Sequence, residues 1–156
     1  MQYDTLIRQA LIMDGHNTPG YVADVGLRDG RIEAIGDLSA ALAEQAIDAR
    51  GRVLAPGFID VHTHDDTVVI RQPQMLPKLS QGVTTVIVGN CGISASPVRL
   101  RGEPPDPMNL LGRREAFTYP RFADYRAAVE SAHPAVNVAA LIGHTALRSK
   151  DRKSVV

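Results

Sequence analysis

Over the first fifty-five residues apolar and polar positions alternate in short runs broken by turn dipeptides, the signature of β-strands rather than helices. DTLIRQALIMDG reads as one strand ending at Asp14-Gly15. YVADVGLRDGRIEAIG reads as a hairpin whose turn is Asp29-Gly30, a pair that accepts the positive φ of a type I′ turn. AIDARGRVLAPG turns near Arg50-Gly51 and stops at Pro56-Gly57. Residues 1–55 are therefore predicted to form a small all-β domain.

After Pro56-Gly57 the pattern lengthens. FIDVHTH is a short strand, and PQMLPKLSQG follows with Met75, Leu76 and Leu79 at helical spacing, Pro77 inside the run and Gly82 at its stop. VTTVIVGN is β-branched on both alternating faces, as in a strand covered on two sides. RFADYRAAVESA places Phe122, Tyr125 and Val129 on one helical stripe, and PAVNVAALIG is a third strand. Strands alternating with helices imply an α/β fold with a parallel sheet or (β/α) barrel over residues 56–150. Between them, Ile93 to Pro120 carries Pro97, Pro104, Pro105, Pro107 and Pro120 without periodicity, and is expected to be an ordered active-site loop.

Seventeen basic residues against seventeen acidic ones give zero formal charge, which argues against a nucleic acid or an anionic membrane surface as partner and for a small molecule. The N-terminus lacks a signal-peptide pattern and no apolar run approaches the ~20 residues of a membrane span, so a cytoplasmic location is expected. The single cysteine, Cys91, cannot form an internal disulfide.

Each of the three predicted parallel strands ends in a residue able to bind metal: His62 and His64, then Cys91, then His144. If the first strand alternates regularly, Phe58, Asp60, His62 and His64 share one face and Ile59, Val61 and Thr63 the other. Strand ends at the C-terminal face of a (β/α) barrel converge on its active site, and imidazole and thiolate are ordinary zinc ligands. Simpler roles stand beside these. The histidines fit a half-exposed strand end, Cys91 a small buried apolar site, and His144 a backbone hydrogen bond, a metal or a position facing substrate. Asp65 and Asp66 fit either partners of the histidine rings or caps of the next helix. His16 and His133 fit surface positions. No G-x-S-x-G elbow, Walker loop, G-x-G-x-x-G or C-x-x-C pair is present, and a Cys91 nucleophile with His144 as base would leave the paired histidines without a role.

PGFIDVHTHDD resembles the first barrel strand of the amidohydrolase superfamily. QGVTTVIVGNCGIS, GEPPDPMNLLG, YPRFADYRAAVE and NVAALIGHTALR are similar to the N-acyl-D-amino-acid deacylases, or D-aminoacylases, and the resemblance runs from about Tyr3 to Arg148. It implies a (β/α)₈ TIM-like barrel beside a small β-domain, with this chain holding the first three barrel strands. It also implies His62 and His64 as ligands of one metal position, and Cys91 as a zinc ligand in place of a bridging group that relatives draw from another strand. The implied reaction is hydrolysis of an N-acyl-D-amino acid to a carboxylate and a D-amino acid. The family's general base, a late aspartate, and two further histidine ligands have no match here.

A barrel of this kind needs about 250 residues. The chain therefore reads as an N-terminal fragment, poorly soluble and inactive alone. Residues 151–156, DRKSVV, are also the translation of GATCGGAAGAGCGTCGTG from a common sequencing adapter, which makes them a non-native tail by expectation. The alternatives are an amidohydrolase of cyclic amides, dihydropyrimidinase-like or dihydroorotase-like, and a non-catalytic metal-binding fragment.

Overall fold

The structure, a computed structural model, describes residues 2–151. Residues 152–156 of the expected tail lie outside them. The chain divides into two compact units, Met1–Pro56 and Gly57–Val156.

The first unit is one mixed sheet. β1 (Gln2–Ile12) is flanked on one side by β2 (Tyr21–Arg28) and then β3 (Arg31–Gly36), both antiparallel to their neighbours. On the other side it pairs in parallel with β4 (Leu42–Asp48) and β5 (Val53–Leu54). The β2–β3 turn has φ of 51° at Asp29 and 70° at Gly30, the two positive values a type I′ turn requires. The turn at Arg50-Gly51 does not reverse the chain. β4 and β5 continue along the same edge of β1, separated by a detour in which Arg52 donates to the Ala49 carbonyl at 2.9 Å.

Opposite that detour β1 itself carries an extra residue between Ile7 and Ala10, with Gln9 at φ 55°. The buried Asp24 carboxylate accepts the backbone N–H groups of Gln9 at 2.8 Å and Leu38 at 3.1 Å. A carboxylate removed from water is tolerable when it is hydrogen-bonded in this way. Ala10, Ile12, Ala23, Val25 and Ala49 form the apolar cluster of this unit.

In the second unit three parallel strands lie in the order β10 (Asn137–Ala140), β7 (Val83–Val88), β6 (Phe58–Thr63). Between β6 and β7 run two single-turn helices, α1 (Val68–Arg71), which the sequence pattern did not predict, and α2 (Leu76–Leu79). The helix expected over PQMLPKLSQG shrinks to one turn because Pro77 lies within its first two positions and Met75 before it is left-handed at φ 47°. Between β7 and β10 lies α3 (Phe122–Ala132), whose Tyr125 is buried with Phe122 and Val129 half-buried on the predicted stripe. Val69, Met75, Val86, Val88 and Val136 make the core beneath the sheet. β7 is less covered than its apolar run suggested: Val86 and Val88 are buried, while Val83, Thr85 and Ile87 are half-buried and Thr84 is exposed.

The proline-rich segment is ordered and has a core of its own. β8 (Val98–Arg99) pairs antiparallel with β9 (Thr118–Tyr119), and two short 3-10 turns lie between them. Ile93, Val98, Met108, Leu111, Ala116 and Phe117 pack together with Ala146 of α4 (His144–Asp151). Spacing alone hides this cluster, since neither helical nor strand period relates its members.

Candidate metal centre

β6 does not alternate regularly. Asp60 pairs with Val86 and Thr63 with Val88, so three steps on β6 oppose two on β7. An earlier shift of opposite sense, between Phe58 and Ile59, restores the register. Val86 and Val88 lie two apart on one face, and their partners Asp60 and Thr63 therefore share that face although they are three apart. This overturns the regular alternation that grouped Asp60 with the histidines.

Lys78 of α2 confirms the grouping. Its Nζ lies 2.6 Å from Asp60 Oδ2 and 3.1 Å from Asp65 Oδ2, and donates to Thr63 Oγ1 at 3.1 Å. Burial opposes the charge on Lys78, yet the two carboxylates carry its pKa above the ordinary lysine value. The bond from Lys78 holds the Asp60 carboxyl below the usual range, and Asp60 Oδ1 also accepts the His62 backbone N–H at 3.2 Å. Asp65 thus serves the lysine rather than a histidine ring, and α1 has no side-chain cap.

His62 and His64 project from the other face, with ring centroids 5.9 Å apart and planes at 74°. Cys91, on the turn after β7, brings Sγ to 3.6 Å from His64 Nε2 and 3.8 Å from Nδ1. One ligand atom from each of His62, His64 and Cys91 lies within 4.8 Å of the others. Zinc bonds of ~2.0–2.1 Å to nitrogen and ~2.3 Å to sulfur at tetrahedral angles set ligand atoms ~3.5 Å apart. The His64 to Cys91 separation already has that length, and two imidazoles with a thiol form a donor set suited to zinc. His62 and Cys91 are exposed and His64 is half-buried, so the group is accessible to an ion and to a substrate.

Asp66 points away from this group. It is 1% exposed, its Oδ1 accepts the Ala95 N–H at 3.0 Å, and its backbone carbonyl accepts the Tyr125 hydroxyl at 2.8 Å. Burial pushes its carboxyl up to about 6, against the lowering effect of the Ala95 hydrogen bond. Asn90 Nδ2 donates to the Val61 carbonyl at 2.7 Å, and Ser94 Oγ accepts the Gly143 N–H at 2.9 Å. Sequence reasoning passed over Asn90, Ser94 and Lys78, because each acts through a contact between distant segments that no local pattern encodes. His144 is exposed at the start of α4, beside Leu147, Arg148 and Lys150, and is not brought into the group of His62, His64 and Cys91. His16 and His133 are exposed, as predicted.

Known proteins agree with this arrangement of strands. The chain is 50% identical over 147 residues to a D-aminoacylase of Alcaligenes xylosoxydans xylosoxydans, covering 94% of this chain and 30% of that protein. A crystal structure of D-aminoacylase superposes with a TM-score of 0.92 at 47% identity, over 98% of this chain and 32% of the other. An N-acyl-D-glutamate deacylase from Bordetella bronchiseptica, in complex with zinc and a phosphonate mimic of the reaction's tetrahedral intermediate, superposes with a TM-score of 0.90 at 45% identity, over 99% and 32%. The chain thus spans about 30% of the length of the curated relative it matches. Residues 45–152 match the model of the amidohydrolase family, and to that family the chain belongs.

Proposed function

We propose that the chain is the N-terminal part of a zinc-dependent hydrolase that cleaves N-acyl-D-amino acids to a carboxylate and a free D-amino acid, and that β6, β7 and β10 are the first three strands of its (β/α)₈ barrel. The observation that carries the reading is the convergence of His62, His64 and Cys91 at the ends of two adjacent parallel strands. The D-aminoacylase relative and the zinc-bound deacylase supply the substrate class and the metal.

A zinc ion, when bound, polarises a carbonyl as a Lewis acid and makes water acidic enough to attack it near neutral pH. His62 and His64 offer two neutral donors from one strand, and Cys91 a soft anionic donor from the next. Lys78, Asp60 and Asp65 brace the outer face of β6, and the Asp60 hydrogen bond to the His62 N–H fixes the backbone from which that imidazole projects. His144, following the third strand, is assigned to the side facing substrate, where an imidazole can donate to or accept from an amide.

The test uses the polypeptide encoded by the whole reading frame, whatever its length. Zinc content by atomic absorption and hydrolysis of N-acyl-D-amino acids, their L-enantiomers and cyclic amides are measured side by side. Bound zinc with D-selective deacylation supports the reading. Cleavage of cyclic amides instead, or bound zinc without any hydrolysis, overturns it.

A further inference from the structure

Cys91 lies on the turn after β7, where the neighbouring Gly92 carbonyl accepts the Thr145 N–H at 2.8 Å. It is exposed, and Gly89 and Gly92 on either side have φ of 82° and 83°. Two side-chain hydrogen bonds also tie this segment to β6 and the residues that follow it. Asn90 Nδ2 donates to the Val61 carbonyl, one residue before His62, and Asp66 Oδ1, two residues after His64, accepts the Ala95 N–H. Both bonds join the same two segments, residues 61–66 and 90–95. They bracket the histidines on one side and the cysteine on the other.

The anchor at Asp66 is itself fixed. Its carbonyl accepts the Tyr125 hydroxyl from α3, and its Oδ2 is buried with no hydrogen-bond partner among the described residues. Burying a carboxylate with one oxygen unsatisfied is costly. An asparagine would keep the acceptor for Ala95 without the charge, so the two residues separate the hydrogen bond from the ionic character.

We propose that Asn90 and Asp66 are positioning residues that together hold the Cys91 thiol against His62 and His64. The inference rests on the metal reading above. Partners that orient ligands without touching the metal typically affect its affinity by about 10–100-fold. The two bonds close one frame, so breaking either one frees Cys91, and a double variant loses little more than a single one.

The test is titration of metal-free whole reading-frame product with cobalt(II), read by the thiolate-to-cobalt charge-transfer absorption and by affinity, with circular dichroism as the check on folding. The wild type is measured first against Cys91→Ser. A wild type with no Cys91-dependent band overturns the metal reading, and this inference with it. Given the band, Asn90→Ala and Asp66→Ala are expected to diminish it and to weaken cobalt binding about 10–100-fold, while Asp66→Asn retains both. Folded alanine variants with an unchanged band and affinity overturn the proposal alone, as does an Asp66→Asn variant no better than Asp66→Ala. Should Asp66→Ala fail to fold, Asn90→Ala decides, because Asn90 is exposed and supports no core.

Discussion

Gly89 and Gly92 lie on either side of Asn90-Cys91 with nearly the same φ, 82° and 83°, and with opposite surroundings. A methyl at Gly92 would meet nothing within 4 Å, whereas one at Gly89 would lie 2.2 Å from the Leu141 carbonyl oxygen and 2.9 Å from its carbon. Replacement by alanine at either position costs about 1–2 kcal/mol for holding an L-residue in the left-handed region. At Gly89 the neighbour is backbone that cannot rotate away, and it adjoins the Leu141 N–H bond to the Val88 carbonyl, 2.9 Å long, that continues the β7–β10 pairing. Relief requires the ends of the two strands to part by roughly an ångström, an overpacking cost of about 1–3 kcal/mol more. Gly89→Ala should therefore destabilise the protein by about 2–5 kcal/mol and Gly92→Ala by about 1–2 kcal/mol. Urea unfolding of the paired variants followed by circular dichroism measures the difference, and the shared conformational cost cancels. Zinc affinity should fall further for Gly89→Ala, since the parting strands carry Cys91. Equal stabilities for the two variants would refute the steric reasoning.

Three other substitutions probe separate parts of the chain. Cys91→Ala should lower zinc affinity by more than the roughly 100-fold upper range for residues that merely orient a ligand, measured by competition with a chromophoric chelator; an unchanged affinity would remove the cysteine from the donor set. Phe117→Ala empties the centre of the loop core and should cost about 3–5 kcal/mol, with limited proteolysis shifting to residues 93–120; cleavage no faster than in the wild type would contradict that. Asp24→Ala leaves the Gln9 and Leu38 N–H groups without their acceptor and should cost about 1–3 kcal/mol, whereas Asp24→Asn keeps an acceptor and should cost less; hydrogen exchange at these two amides reads both.

The strands and the Asp29-Gly30 turn were legible because alternation and positive-φ residues are local properties of the chain. So was the grouping of His62, His64 and Cys91 as candidates, since a histidine pair and a lone cysteine at strand ends can be seen without coordinates. The face of Asp60 was not legible: FIDVHTH alternates without interruption on paper, and only the opposing Val86 and Val88 reveal the extra residue. The core of the proline-rich loop was hidden for a related reason, because Phe117 meets Ile93, Val98 and Met108 through a fold-back that no short window contains. The sequence offered Asp66 as a partner of the histidine rings or a helix cap, and marked no role for Asn90. Their bonds to Val61 and Ala95 span 29 positions each, and sequence periodicity carries no information at that range.

The compensated bulge in β6 also limits how the histidine pair can be transplanted. Grafted onto a regular parallel strand, the seven residues FIDVHTH would turn Asp60 to the same side as the imidazoles and set a carboxylate beside the donors. It would also separate Asp60 from Thr63 and leave an equivalent of Lys78 with fewer acceptors. A designer wishing to borrow this candidate centre must therefore borrow the pairing register with β7 as well: the geometry of the pair belongs to two strands and the slip between them, not to a seven-letter string.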